Sequence, residues 1–212
     1  MSPQDLRRLE FHGNVELDFD NIAFIILSSV LASVALLSHS VPVLIGAMIL
    51  APTFDPLIAI PFGILNKDRQ LFCKGIMGST VLLVVSAGTC LLTVWLVLLT
   101  NAVPADLTKL EPDMVTERLV VGWHSVLIAL AAGAGGALAT ASNRRENLMG
   151  VIMALALIPA LAASAIAFNY KMISGWGGLK LFGINIAGIV VSGLVVLMLR
   201  RETGETQQKK EQ

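Results

Sequence analysis

The stretch Val43-Leu-Ile-Gly-Ala-Met-Ile-Leu-Ala-Pro-Thr-Phe-Asp-Pro-Leu-Ile-Ala-Ile-Pro-Phe-Gly63 places Pro52, Pro56 and Pro61 inside one apolar run that is long enough to cross a bilayer. A proline removes a backbone donor and clashes with the carbonyl four residues earlier, so a continuous helix is not expected here. Hydrocarbon cannot satisfy the polar groups that are freed, and they need protein or water around them. The sequence therefore predicts a membrane span that is interrupted near its middle.

A second apolar stretch, Leu148 to Asn169, is broken by Pro159, which lies 103 positions after Pro56. The same shift, applied without a gap, pairs other identical or similar residues of the two halves: Ala59 with Ala162, Asn66 with Asn169, Gly75 with Gly178 and Thr89 with Ser192. This constant offset predicts a duplicated membrane unit.

The composition is typical of an integral membrane protein, since 55% of the residues are hydrophobic, 14% are charged and the mean hydropathy is +0.77. A membrane helix needs about 20 apolar residues, and the uncharged runs of this chain offer room for six. The predicted spans are residues 21–38, 43–65, 74–100, 121–142, 147–169 and 180–200.

Basic residues near the span ends predict the orientation, because Lys and Arg are retained on the cytoplasmic side. With the N terminus inside, the cytoplasmic segments hold eleven of them and the outer segments hold four. Both termini are therefore expected in the cytoplasm. Three spans in each half would make the second copy enter the membrane from the opposite side, as in the inverted repeats of transporters. The predicted fold is an all-α membrane protein with two inverted three-helix repeats and broken second and fifth helices.

This organisation divides the chain into a cytoplasmic N-terminal segment (1–20), a first repeat (21–100), an outer loop (101–120), a second repeat (121–200) and a cytoplasmic tail (201–212). Seven charged residues among the first twenty exclude the apolar core of a signal peptide. The charges are sorted by membrane side and do not form one basic face, so nucleic acid is not an expected partner.

The interruption of the second span supplies the main candidate site residues. Asp55 is the only acid inside any predicted span, and a charge at the bilayer centre costs about 2.5 to 3.5 kcal/mol. Together with Thr53 and freed carbonyls it would form a proton or cation site. The alternative is a helix cap for the following turn without a chemical role. In the second repeat the matching residues are Ala156 and Ile158, so only one half supplies an ionisable group.

Other polar or small residues in the spans are weaker candidates. Ser164, just after Pro159, and Asn185 in the sixth span are possible binding residues. Ser79 and Ser86 lie seven residues apart and therefore share one helix face, as typical helix-packing residues do. Ala132 and Gly136 in the fourth span form a small-xxx-small pair, for which we also expect a packing role.

Signals for enzyme chemistry are lacking in the sequence. Cys73 and Cys90 have neither disulfide-framework nor metal-ligand spacing, and the three histidines are scattered. The sequence has no glycine-rich phosphate loop, no serine elbow and no HExxH motif. We expect no metal site, no cofactor and no enzyme activity.

Three segments, in order, resemble the signature segments of the domain of unknown function 389 family: Ile45-Gly-Ala-Met-Ile-Leu-Ala-Pro52, Ala131-Ala-Gly-Ala-Gly-Gly-Ala137 and Gly150-Val-Ile-Met-Ala-Leu-Ala-Leu-Ile-Pro-Ala-Leu-Ala162. The resemblance covers roughly residues 20 to 170. It implies an integral protein of a prokaryotic inner (plasma) membrane without an established activity. The family commonly has a small residue at the position of Asp55, so the resemblance does not make this acid part of a shared function.

These observations lead to two hypotheses of function. The first is a transporter or channel for a small solute or ion, with a site near the midplane between the two broken helices. The second is a non-transporting membrane scaffold, in which the prolines only shape packing. Six helices enclose little space and the fourth span offers a close-packing face, so we expect a homo-oligomer embedded in the lipid bilayer.

Overall fold

A computed structural model describes residues 18–52, 54–100, 113–142, 157–169 and 176–208. All regular structure in these ranges is helical. The eight helices are α1 (Phe19–Leu37), α2 (Val41–Leu50), α3 (Phe54–Leu65), α4 (Arg69–Leu99), α5 (Asp113–Leu119), α6 (Trp123–Ala141), α7 (Leu157–Asn169) and α8 (Trp176–Gln208).

Among the described residues, four helices are long and apolar enough to cross a membrane: α1, α4, α6 and the part of α8 up to Arg200. The pair α2 and α3 is bent by 45° at a short break and makes a fifth candidate when it is counted as one span. The all-helical fold predicted from the sequence is thereby confirmed, and it contains several helices that could span a membrane. Of the predicted span 147–169, the structure describes only α7, a 13-residue apolar helix.

The helix bounds differ from the predicted spans mainly at the membrane surfaces. α4 begins at Arg69 and α8 continues to Gln208, beyond the predicted limits at 74 and 200. Arg, Glu and Gln favour helix in water, so nothing in their chemistry ends a helix where the apolar run ends. The short helix α5 lies in the predicted outer loop and was not predicted.

The interruption of the second span lies where the prolines predict it. α2 ends at Leu50, Ala51 is extended with φ −75° and ψ 122°, and α3 begins at Phe54. Pro56 is the third residue of α3. Pro159 lies within α7, and the part of the predicted fifth span before Leu157 lies outside the described residues. Proline is tolerated in a first helical turn because its missing N–H would have no intrahelical partner there.

The helix α7 forms the centre of the described bundle. Every residue from Leu157 to Ala167 is buried, and α7 packs against α1, α2, α4, α5 and α8. The other half-helix, α3, packs against α4, α6 and α8. Large apolar side chains remain exposed on the outer faces of α1, α4, α6 and α8, where lipid would cover them. The helices α3 and α7 are therefore held inside the protein rather than against lipid.

Candidate functional site

A side chain from α1 satisfies part of the break between α2 and α3. The last four carbonyls of a helix, here those of residues 47 to 50, have no intrahelical partner. The hydroxyl of Ser28, which is fully buried on α1, donates a hydrogen bond of 2.7 Å to the carbonyl oxygen of Ala47. Ser28 was not among the residues predicted from the sequence. A sequence search could have found Ser28 by looking for hydroxyl residues in the span before the proline-broken one.

Further polar contacts join α1 to α4 at the same region of the bundle. The hydroxyl of Ser29 donates to the carbonyl of Ile25, and that of Ser33 donates to the carbonyl of Ser29. The thiol of Cys90 on α4 also lies 3.7 Å from the carbonyl oxygen of Ser29, to which it donates. The helices α1, α2 and α4 are thus connected by buried hydrogen bonds.

The first residues of α3 are packed tightly on two neighbouring helices. Phe54 is buried, and its ring occupies the space that a Cβ at Gly136 on α6 would need. A Cβ at Gly75 on α4 would lie 2.9 Å from the carbonyl oxygen of Pro56, and a Cβ at Gly78 equally close to the Pro56 ring. These glycines allow α3 to approach both α4 and α6 closely.

Asp55 is the second residue of α3 and is half-buried. A negative charge in a first helical turn is stabilised by the positive end of the helix dipole. Pro52 is half-buried in the break, and Thr53 lies outside the described residues. The geometry therefore places the carboxylate where it compensates the N-terminal end of α3.

In the second half of the chain, α8 makes an equally close approach to α7. The backbone of Gly178 lies directly against the carbonyl oxygen of Ala160 and the hydroxyl of Ser164. Gly178 is the residue that the 103-position shift pairs with Gly75, and each glycine lies against a carbonyl of the first turns of a half-helix. Each of the helices α3 and α7 thus packs closely against the helix that follows it, α4 or α8, at a glycine in the matching position.

Two buried hydroxyls differ from their neighbours. Ser29, Ser33, Ser79 and Ser192 each donate to the carbonyl four residues earlier, as serines in membrane helices commonly do. Ser86, fully buried, and Ser164, 3% exposed, have no hydrogen-bond partner within the described part of the chain. An unpartnered buried hydroxyl is costly, so these two positions are where a polar guest would be stabilised.

Asn185 is buried on α8, which packs against both α3 and α7. α8 contacts Ala160 and Ser164 of α7 through Gly178, and Ile58 and Pro61 of α3 through Gly193. Phe182 and Ile189 of α8 belong to one buried cluster with Phe54 and Ile58 of α3 and Leu157 and Leu161 of α7.

The residues predicted for helix packing lie inside the chain. Ser79 and Ser86 are buried on α4, and Ala132 and Gly136 are buried on α6. Gly133 and Gly188 bring α6 against α8, because a Cβ at either would overlap the opposite helix. The described residues contain no group of three His, Cys, Asp or Glu side chains that could hold a metal ion.

The short helix α5 covers the α7 and α8 ends that the predicted topology places outside. Val115 and Leu119 are buried, and Leu119 lies against Gly177 at the start of α8. Arg118 donates 2.8 Å to the carbonyl of Met114 and lies 3.8 Å from the Glu117 carboxylate. Burial lowers the pKa of the Arg118 guanidinium, and Glu117 partly offsets this.

Comparison with known proteins gives a family but no activity. The family described as Domain of unknown function (DUF389) matches residues 48–191. An "Uncharacterized protein MJ0678" of Methanocaldococcus jannaschii is 28% identical over 180 residues, which are 84% of this chain and 53% of that protein. The chain thus spans about half the length of this curated relative. No solved structure matches the chain.

Proposed function

The chain belongs to the domain of unknown function 389 family, and from this premise we propose that it is a membrane transporter or channel for a small solute or ion. The proposed site lies near the bilayer midplane, between the starts of α3 and α7. The observation that carries the proposal is the 45° break between α2 and α3, which puts helix ends inside an apolar bundle. Such discontinuous helices form the substrate sites of many transporters.

The proposal includes six spans in two inverted repeats, with both termini in the cytoplasm. The helix bounds support the duplication, because α6 begins and ends 104 positions after α1. α7 ends 104 positions after α3. An offset that is preserved in helix bounds as well as in residue identities is expected of two copies of one unit.

The packing pattern gives independent support. α3 packs on α4 and α8, and α7 packs on α8 and α4. α1 packs on α4 and α7, and α6 packs on α8 and α3. If α1 is exchanged with α6, α3 with α7 and α4 with α8, the same set of helix contacts results. A twofold axis that relates the two halves would produce this symmetry. With three spans in each half, that relation inverts one copy in the membrane.

Polar side chains from both halves would line the site. The first half offers Asp55, and Thr53 by its place in the sequence, while the second offers Asn185 and Ser164. Passage would involve rocking or gating of one repeat against the other about these residues. We also propose a homo-oligomer. It would use a face other than Ala132 and Gly136, which pack within the chain.

Reconstituted protein tests this function directly. We expect liposomes containing the full chain, with dyes for pH, Na⁺, K⁺ and Cl⁻ inside, to show flux that protein-free liposomes lack. Asp55→Asn should change that flux, because it removes a charge from the break. Asp20→Asn, which removes an exposed first-turn acid of α1 away from the break, should not.

One observation favours the scaffold alternative. Ala51 and Phe54 are each only 3% exposed, and Ser28 already satisfies a carbonyl at the break. Dry, satisfied packing of this kind is what a purely structural bend needs. Absence of flux for all four probes, with the protein shown to be folded and inserted, would reject transport of these ions in favour of the scaffold.

A further inference from the structure

We propose that Arg118, on the short helix α5, binds the phosphate group of a phospholipid headgroup at the surface of the membrane. The proposal does not depend on transport, because it concerns the end of the bundle where α5 packs against the start of α8. It combines three observations: a largely buried guanidinium whose charge is poorly balanced, exposed tryptophans at the same end of the bundle, and a second cation on α8.

The guanidinium of Arg118 is incompletely satisfied by the described part of the chain. The side chain is only 18% exposed, and a guanidinium carries five N–H donors. Nη1 donates to the carbonyl of Met114, one turn earlier in the same helix, whereas Nε is buried and has no acceptor among the described residues. A buried charge is costly unless it is both paired and hydrogen-bonded. The neutral Met114 carbonyl therefore satisfies one donor but does not balance the charge.

The neighbouring acid, Glu117, balances this charge only weakly. Its carboxylate oxygen lies 3.8 Å from Nη1 of Arg118, which is longer than a hydrogen bond, and its side chain is 77% exposed. An ion pair with a solvated partner contributes little to stability, because water competes for both charges. Arginine forms its strongest pairs with carboxylate or phosphate oxygens that accept two parallel N–H bonds. An oxyanion at the exposed edge of the guanidinium would supply both the missing charge and the missing acceptors.

Two tryptophans place Arg118 at the depth of the lipid headgroups. Trp176 on α8 and Trp123 on α6 are both exposed. Leu119, the residue after Arg118, lies against Gly177, the residue after Trp176. Exposed indole rings of membrane proteins concentrate at the membrane–water interface, because the ring is largely apolar while its N–H needs a polar partner. The oxyanion within reach of Arg118 at this depth is the phosphate of a lipid headgroup.

Lys180 adds a second positive charge beside Trp176. It follows Trp176 by four residues and both side chains are exposed, so they share one face of α8. Lysine side chains near the ends of membrane helices extend toward the headgroups, and basic residues at this surface attract anionic lipids. We therefore expect anionic phosphatidylglycerol to bind in preference to zwitterionic phosphatidylcholine.

Quenching of Trp176 fluorescence measures which lipid lies beside Arg118. A background with Trp95→Phe and Trp123→Phe leaves Trp176 as the sole tryptophan of the chain. The full chain is reconstituted in mixtures of phosphatidylglycerol and phosphatidylcholine in which one lipid or the other carries brominated acyl chains. The difference in quenching gives the lipid composition around Trp176 relative to the bulk membrane. We expect phosphatidylglycerol to be enriched there, and Arg118→Gln to lower the enrichment about fivefold.

Matched variants separate lipid binding from folding. Arg200→Gln removes an exposed cation about 36 Å farther along α8 than Trp176, so it should leave the enrichment unchanged. Glu117→Gln removes an exposed carboxylate that competes for Arg118, and it should raise the enrichment even if Arg118→Gln does not fold. Equal quenching by the two lipids in the background chain, an enrichment that survives Arg118→Gln, or no rise with Glu117→Gln would overturn the proposal.

Free phosphate distinguishes a headgroup site from a site for a soluble anion. The full chain in detergent without added lipid is titrated with sodium phosphate against sodium chloride at constant ionic strength, and its melting temperature is followed. A ligand that binds only the folded state raises this temperature, and we expect no rise that depends on Arg118. A rise that Arg118→Gln removes would overturn the headgroup assignment in favour of a soluble oxyanion. Neither measurement requires an ion to cross the membrane, so this proposal and the proposed function can fail separately.

Discussion

At the scale of single residues, the break in the second span depends on how its freed backbone groups are satisfied. Hydrocarbon offers no hydrogen bonds, so the protein itself must supply donors for the carbonyls that a break in a membrane helix leaves free. Ser28 is the donor that the structure identifies, reaching the Ala47 carbonyl from the neighbouring helix. The adjacent Ser29 has the same chemistry and burial, but it bonds within its own helix. A comparison of Ser28 and Ser29 variants therefore distinguishes the contribution of the bond at the break from the general effect of losing a buried hydroxyl.

We predict that Ser28→Ala destabilises the protein more than Ser29→Ala does. The first variant leaves a buried carbonyl at a helix end without its donor, and the expected loss is about 0.6 kcal/mol and at most about 1.7 kcal/mol. The second leaves a carbonyl that the helix itself still satisfies. Reversible unfolding in mixed detergent and SDS micelles measures both. Equal losses would mean that the Ser28 bond does not support the break.

A second residue-scale prediction concerns Phe54 and Gly136. Gly136→Ala should destabilise the protein by about 1 to 3 kcal/mol, because the new methyl group would overlap the Phe54 ring. Phe54→Leu should relieve the overlap, so the double variant should lose less than the sum of the two single losses. The double-mutant cycle in the same micelles checks this, and additive losses would contradict the contact.

At the scale of elements, α3 packs closely against α4 and α7 against α8, in each case at a glycine in the matching position. We predict that Gly75→Ala and Gly178→Ala each destabilise the protein by about 1 to 3 kcal/mol, because in both cases a new Cβ would collide with a carbonyl of the half-helix. Thermal unfolding in detergent measures the effect.

Each helix provides its own control for this prediction. Gly88 on α4 and Gly183 on α8 have no atoms within 4 Å of a new Cβ, so alanine there should be neutral or stabilising by up to about 1 kcal/mol. If alanine at Gly75 and Gly178 changed the stability no more than alanine at Gly88 and Gly183 does, close backbone packing would not hold α3 and α7 in place.

The same elements show why part of the structure could be predicted from the sequence. Apolar runs predict helices in lipid, and Pro52 and Pro56 predict the break, because both signals are local. Ser28 and Ala47 are nineteen residues apart, and their bond depends on how two helices cross, which no local pattern encodes. Of the candidate site, the sequence predicted the broken segment between α2 and α3. It did not predict Ser28, because helix packing determines which hydroxyl reaches the break.

At the scale of the whole molecule, the number of spans is decided by the segment that contains α7. Its 13 residues cover about 20 Å, which is less than the roughly 30 Å of a hydrocarbon core. The ten residues before Leu157 contain no charged side chain, so the sequence allows the crossing to be completed. Six spans place both termini on one side of the membrane, whereas a segment that fails to cross would place them on opposite sides.

We predict that both termini are cytoplasmic and that the predicted outer loop is on the opposite face. Single cysteines at Ser2, Lys109 and Gln212, in a background with Cys73→Ala and Cys90→Ala, are labelled with a membrane-impermeant maleimide. In inside-out vesicles positions 2 and 212 should react and position 109 should not, and right-side-out vesicles should give the reverse. Labelling of positions 2 and 212 from opposite sides would leave an odd number of spans. Two inverted three-span repeats would then be impossible, and the symmetry argument for a site between α3 and α7 would fail.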